Sequence, residues 1–322
     1  MRMSRSVVRL VLAVSVVASA FAMPAVVFAQ VAAPAVAAAP KPIRVAVIGA
    51  SASAGFGCVM HDKRADGDYT GSFRLADMVK LACPQLQLVT SDMSSGFFFM
   101  SPVANGAKAA KRAKDFKPDC VVALDFLFWY GYGDDAPDGG PVKSEDDRIR
   151  KFELGLKELE QFDASIPMIV GDIPDMHRAV GKMLSPQQVP SPETTARLNA
   201  RLAEWAKARP NVRPFPLAQI QHDLMDKHAI DICGTKLEST KDAPLLQRDE
   251  LHPTAQGLAG LGCAIAAELK SAVHCPPDGC TPEPIGTIER ARGELKKSGL
   301  RDKPATTPAT APAPAPAGSS TK

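Results

Sequence analysis

A serine hydroxyl is a poor nucleophile at neutral pH. It needs a base within hydrogen-bond reach, and the base needs an acid to orient it. Two stretches of this chain carry those residue types in suitable settings. The first is "VIGASASAGFG" at positions 47–57, a run of small residues after an apolar segment that can hold Ser51 exposed on a tight turn. The second is "RDELHPTAQGLAGLG" at positions 248–262, where Asp249 stands three residues before His252. In a loop, that spacing lets the carboxylate accept from one imidazole nitrogen while the other faces a serine. Pro253 stiffens the turn and suits the first position of the helix that follows. The other histidines, His61, His177, His222, His228 and His274, have no comparable neighbours.

The glycine-rich loop could instead cradle a phosphate. A dinucleotide loop needs G-x-G-x-x-G, and Ser51 occupies the middle glycine position; a Walker loop needs a lysine that is absent. A zinc site at His274, Cys275 and Cys280 lacks a second ligand pair at suitable spacing. No cofactor and no metal are therefore expected.

The elements around these loops alternate. "IRVAVIG" reads as a buried parallel strand, followed by a helix in "SFRLADMVKLAC" and a strand in "QLQLVTSD". "NGAKAAKRAKDF" is helical with its lysines outward. "DCVVALDFLFWYG" reads as the third and most hydrophobic strand, and "EDDRIRKFELGLKELEQF" as an amphipathic helix with acids first. "IPMIVGDIPD" is a fourth strand, "SPETTARLNARLAEWAKARP" a capped helix, and "NVRPFPLA" an edge strand because of its prolines. "PTAQGLAGLGCAIAAELKSA" closes the series as a small-residue helix. Such alternation implies an α/β class: a three-layer α/β/α sandwich on a central, mostly parallel five-stranded sheet, with sites beyond the carboxyl ends of the strands.

With both motifs in order at the two ends of an α/β domain, the chain resembles the SGNH/GDSL hydrolases, a flavodoxin-like fold. Their first block, Gly-Asp-Ser-x-x-x-Gly, matches at Gly49, Ser51 and Gly55, and their last, Asp-x-x-His-Pro, at Asp249, His252 and Pro253. The resemblance covers roughly residues 43–272. It implies that Ser51 is the nucleophile, His252 the general base and Asp249 its orienting acid. It also implies an oxyanion hole from the backbone N–H groups of Ser51 and Gly96, plus an asparagine after the third strand. Two positions depart from the pattern. Ala50 replaces the block-one aspartate, and "LDFLFWYGYGDD" offers no asparagine. Asn105 begins the next helix and does not fill the role. The hole then has two donors, or a third from Tyr130 or Tyr132. Asp125 is placed to hydrogen-bond the nucleophile loop and supply what Ala50 lacks. Trp129, Tyr130 and Tyr132 are the substrate-pocket candidates of that segment, with Asp125 beside them, whereas Phe126 and Phe128 read as sheet core. The "GFFFM" loop, residues 96–100, lines a pocket or packs beneath one. Asp172 and Asp175 follow the fourth strand on the same side and contact substrate or structure.

The chain has 322 residues and formal charge +3. Residues 1–29 have the order of a secretory signal: Arg2, Arg5 and Arg9, then an apolar run, then small residues. Cleavage fits Ala22 or, better, Ala29; Pro24 and the small residues argue against a retained anchor. Removing that segment takes the net charge to zero, so neither nucleic acid nor anionic membrane is an electrostatic partner. Residues 30–42 form an Ala/Pro-rich linker, 43–272 the hydrolase-like domain, 273–301 an extension, and 302–322 a disordered Pro/Ala/Thr-rich tail. Seven cysteines in an exported chain allow disulfides, with a local bridge across "CPPDGC" at Cys275 and Cys280, and Cys120 as a buried thiol.

These features lead to an exported serine ester hydrolase, periplasmic or extracellular, acting on a small-molecule, glycan or lipid ester through an acyl-enzyme. The alternatives are acyl transfer by the same triad, or a noncatalytic binding protein that has kept the fold. Sequence leaves the oligomeric state open.

Overall fold

The computed structural model describes residues 41–298, apart from 66, 227 and 274–280. The signal segment, nearly all of the linker, the tail, the Cys275–Cys280 loop and His274 lie outside the described residues.

Five short strands form one parallel sheet: β1 (Ile43–Val47), β4 (Leu88–Asp92), β5 (Cys120–Ala123), β6 (Met168–Gly171) and β7 (Val212–Phe215), in the order β4-β1-β5-β6-β7. The order reverses at β1, whose neighbours are β4 on one side and β5 on the other. Two antiparallel hairpins, β2 (Val59–Arg64) with β3 (Gly67–Ser72) and β8 (Ile230–Ile232) with β9 (Thr235–Leu237), stand outside the sheet.

The strand period of two sorts side chains into two cores. Val45, Val47, Cys120, Val122 and Ile169 face one core with helices α1 (Leu75–Ala82) and α7 (Ala255–Ala272). Ala46, Ile48, Val121, Ala123, Met168 and Val170 face the other, with α2 (Pro102–Phe116), α3 (Phe128–Gly131), α4 (Glu145–Leu159) and α5 (Pro192–Lys207). The central strands are covered on both faces, which is why they read as unbroken apolar runs. Pro214 sits in β7, an edge strand, where a missing N–H costs no ladder bond. The helix α6 (Leu217–Met225) follows it, and Asp172 accepts from the Ala218 N–H at its start. Helix α8 (Pro284–Ser298) adds the buried Ala291 and Leu295 to the first core.

The third strand is shorter than its apolar run. It ends at Ala123, and residues 128–131 form α3. The aromatics continue inward rather than along the sheet: Phe126 and Tyr130 are fully buried, with ring centroids 5.6 Å apart. Burial against α2 and α4 overrides their strand propensity.

Cys83 is disulfide-bonded, and the other four described cysteines, Cys58, Cys120, Cys233 and Cys263, are free thiols. Burial pushes the Cys120 thiol up to about 12. No helix among the described residues is long and apolar enough to cross a membrane.

The small residues of α7 have a packing reason. A Cβ at Gly262 would lie 2.6 Å from Met78 Cβ and 2.9 Å from the Met78 carbonyl carbon of α1. A Cβ at Gly293 in α8 would meet nothing within 4 Å. Gly262→Ala is therefore expected to destabilise the fold despite its better helix propensity, whereas Gly293→Ala should stabilise it by about 0.5–1 kcal/mol. Urea denaturation of the two variants checks the opposite signs.

Candidate active site

The turn after β1 is built around one carboxylate. Asp125, just past β5, is 6 % exposed and accepts four hydrogen bonds from this turn. Its Oδ1 takes the Ala50 N–H at 2.9 Å and the Ser53 hydroxyl at 2.5 Å. Its Oδ2 takes the Ala52 N–H at 2.8 Å and the Ser53 N–H at 3.2 Å. Of the four consecutive N–H groups at 50–53, only that of Ser51 finds no acceptor among the described residues. Glycine at 49 allows the approach, since a Cβ there would lie 2.3 Å from Asp125 Oδ1. Gly55 has φ +70°, and a Cβ there would sit 1.9 Å from the Phe73 carbonyl oxygen. Each of these two glycines is demanded by space or by backbone conformation.

The structure brings Ser51, His252 and Asp249 together across 201 residues of chain. Ser51 Oγ lies 2.8 Å from His252 Nε2, and His252 Nδ1 lies 2.7 Å from Asp249 Oδ2. A carboxylate only accepts, so Nδ1 carries the proton and Nε2 is left to accept from the serine hydroxyl. The other Asp249 oxygen accepts the N–H groups of Leu251 and His252, which ties the acid into its own loop. Burial works to raise the Asp249 pKa. The hydrogen bonds from the His252 ring and from the two N–H groups outweigh it and hold the carboxyl below the usual range.

Neighbouring groups hold the loop at Asp249–His252 from several sides. Glu250 adopts φ +56°, and its carboxylate pairs with Arg178 at 3.3 Å and Lys182 at 2.7 Å. Gln247 donates to the carbonyls of Phe56 and Pro253, joining this loop to the nucleophile turn. Cys58 also reaches the Pro253 carbonyl; burial pushes its thiol up to about 12. The Phe56 ring centroid lies 4.7 Å from that of His252.

Gly96 lines the same pocket as Ser51, and its N–H has no acceptor among the described residues. Asn105 holds the loop that carries Gly96, donating to the carbonyls of Phe97 and Phe98. The tyrosines expected at the pocket are elsewhere. Tyr130 is fully buried against Phe98 and Phe126, and its hydroxyl has no partner among the described residues. Tyr132 is equally buried; its hydroxyl donates to the Pro174 carbonyl and accepts from the Met176 N–H. Neither is a substrate contact or an oxyanion donor, because the short helix α3 turns both into the core. Asp125 also serves the turn rather than a ligand, its oxygens being engaged by the loop. Trp129 does line the pocket, and Phe128 lines a small neighbouring void that also borders Ser51. Asp172 and Asp175 make intramolecular contacts, to the start of α6 and to His177.

Three residues of the pocket wall, Phe56, Met183 and Gln188, carry no sequence signal for that role. Gln188 accepts the Ser185 N–H through its amide oxygen, and its NH2 has no acceptor among the described residues. Met183 and Gln188 lie in the irregular segment between β6 and α5, which has no periodicity to read. Among the described residues no group of three or more His, Cys, Asp or Glu is disposed to hold a metal ion.

No protein-family model matches the chain, and no curated protein does. Solved structures are similar to it in part, three of them as follows. One is described as "BT4096 a gut microbial diltiazem-metabolizing enzyme", with 13% identity and TM-score 0.43, over 73% of this chain and 47% of that one. The chain thus spans about half the length of that protein. A possible lipase from Chitinophaga pinensis aligns at 13% identity and TM-score 0.39, over 71% of this chain and 98% of its own. The lipase Lip_vut3 from a goat rumen metagenome aligns at 10% identity and TM-score 0.35, over 71% and 97%. At such similarity the functional reading rests on the site itself.

Two outcomes follow from this geometry. Asp125→Ala leaves buried donors of the turn unsatisfied and should cost at least about 3 kcal/mol in urea denaturation. Asp249→Asn should lower stability near neutral pH. Because the native carboxyl is held low, the stabilisation is present above the ordinary carboxylate range and is lost as pH falls through the lowered value. The gap between the denaturation midpoints of the two proteins should therefore narrow below about pH 4.

Proposed function

We propose that the protein is a serine ester hydrolase of SGNH/GDSL type working through an acyl-enzyme. The observation that carries the reading is the unbroken relay from Ser51 Oγ through the His252 ring to Asp249, at 2.8 and 2.7 Å. The N–H groups of Ser51 and Gly96, both without internal acceptors, supply the oxyanion donors.

Ser51 Oγ attacks the ester carbonyl carbon while His252 Nε2 takes the hydroxyl proton. Negative charge moves to the carbonyl oxygen, which the two N–H groups receive. The imidazolium forms beside the ionised Asp249, which stabilises it and keeps the ring in place. The intermediate collapses, the C–O bond to the alcohol breaks, and His252 gives its proton to the departing oxygen. Water then enters, loses a proton to His252, and attacks the acyl-serine. The second collapse releases the carboxylic acid and returns the proton to Ser51.

Asp125 fits this scheme as a positioning residue. It fixes the turn on both sides of Ser51 and leaves that one N–H unengaged. Gln188, a side-chain donor of the pocket wall, is the proposed third contact to the oxyanion, in the role the missing asparagine would have. With residues 1–29 as a cleaved export signal, the reaction takes place outside the cytoplasm.

Hydrolysis of p-nitrophenyl butyrate tests the reading. Ser51→Ala and His252→Ala should each lower kcat by about 10³-fold or more, with KM little changed. Gln188→Ala should lower kcat by about tenfold or more. Turnover that survives in Ser51→Ala would sink the assignment.

A further inference from the structure

The walls around Ser51 divide unevenly. On one side is a void of about 40 Å³, bordered by Leu124, Phe128, Met176, Leu217 and Leu261, with room for little more than a water-sized group. On the other is an open cavity of about 290 Å³, at the low end of small-molecule pockets. Its walls are Phe56, Phe97, Phe99, Trp129, Met183 and Leu251, and the Phe99 and Trp129 rings lie 5.6 Å apart. No Asp, Glu, Lys or Arg among the described residues lines it. Beyond the residues of the relay, the polar side-chain groups on the wall among the described residues are the Gln188 amide and the Trp129 indole N–H.

The cavity opens onto apolar surface. Phe97 is 70 % exposed and Met100 72 %, and Phe56, Phe99 and Met183 are also well exposed. Four of the eight large apolar side chains that stand exposed among the described residues, Phe56, Phe97, Phe99 and Met183, therefore line this cavity, and Met100 follows Phe99 in the chain. Scattered apolar side chains need no explanation; a cluster at a site marks a surface built to be covered.

We infer that the site takes esters whose acyl group is an apolar chain of medium to long length. This rests on the hydrolase reading above. The acyl group stays bound to Ser51 after the alcohol has left, so a built pocket serves the part that remains. Water must replace the alcohol, and an apolar cavity is a poor route for it. A sugar or charged acyl group would surrender its hydration here with almost no polar side chain in exchange. An alkyl chain gains about threefold to fourfold in kcat/KM for each methylene buried. Phe97 extends the apolar track outward for the end of a longer chain.

The test uses the full protein with p-nitrophenyl acetate, butyrate, hexanoate and octanoate, together with a peracetylated sugar. Below the critical micelle concentration, kcat/KM should rise by about tenfold or more from acetate to hexanoate. Met183→Asp and Phe99→Asp put a carboxylate on the wall without touching the relay. Each should lower the octanoate-to-acetate ratio of kcat/KM by about tenfold or more. Thermal denaturation of both variants shows whether they remain folded, and the ratio within one variant cancels any loss of active protein. A flat or falling series, a preference for the acetylated sugar, or an unchanged ratio in both variants would overturn the acyl-chain inference and leave the hydrolase reading standing. Absence of turnover on every ester, with no fluorophosphonate labelling, would instead remove the hydrolase reading beneath it.

Discussion

Everything at this site depends on a buried carboxylate that never needs to meet the substrate. Asp125 takes three N–H groups and one hydroxyl from the turn after β1, and so fixes the conformation of residues 50–53. A turn of small residues is otherwise free to take many shapes, and ordering it costs about 1–2 kcal/mol per residue. The carboxylate offsets that cost with charge-assisted bonds in a dry setting. It also selects which donor stays available. The N–H groups of Ala50, Ala52 and Ser53 are consumed, and that of Ser51 is not.

The fold supplies the second half of the constraint. Asp125 can reach the turn because β1 and β5 are adjacent parallel strands that end at the same edge, with Val47 opposite Val122. Sheet order reverses at β1, where a crevice opens between the loops on either side. Into it come Gly96 after β4 and His252 before α7. The loop around His252 is itself held from outside by Arg178 and Lys182 on Glu250, and from inside by Gln247. Neither loop is positioned by its own sequence alone.

That division explains what could be read from the sequence. The five strands were legible because buried parallel strands are unbroken apolar runs, and the long helices because of their period and caps. Ser51, Asp249 and His252 were legible as types because each motif is local. The third strand was read too long, since "DFLFWYG" is as apolar as a strand. What separates its residues is the turn at Asp125, which depends on a partner 75 positions away. An extended strand there would carry Tyr130 and Tyr132 to the pocket, whereas the short helix α3 and its C-terminal end bury both. The hairpin strands are short and mostly not buried, and α6 spans only nine residues directly after the prolines around the end of β7, so neither stands out in the sequence. Phe56 reaches the cavity from the turn after β1, Met183 and Gln188 from the segment between β6 and α5, and only tertiary structure gathers them.

The central claim is that the turn at Ser51 presents an activated nucleophile, and covalent trapping tests it most directly. The native protein is treated with a fluorophosphonate, and the adduct is located by peptide mass spectrometry. The account predicts one adduct per chain on Ser51, formed more slowly when His252 is replaced by alanine. No adduct, or an adduct on another serine at equal rate, would contradict it.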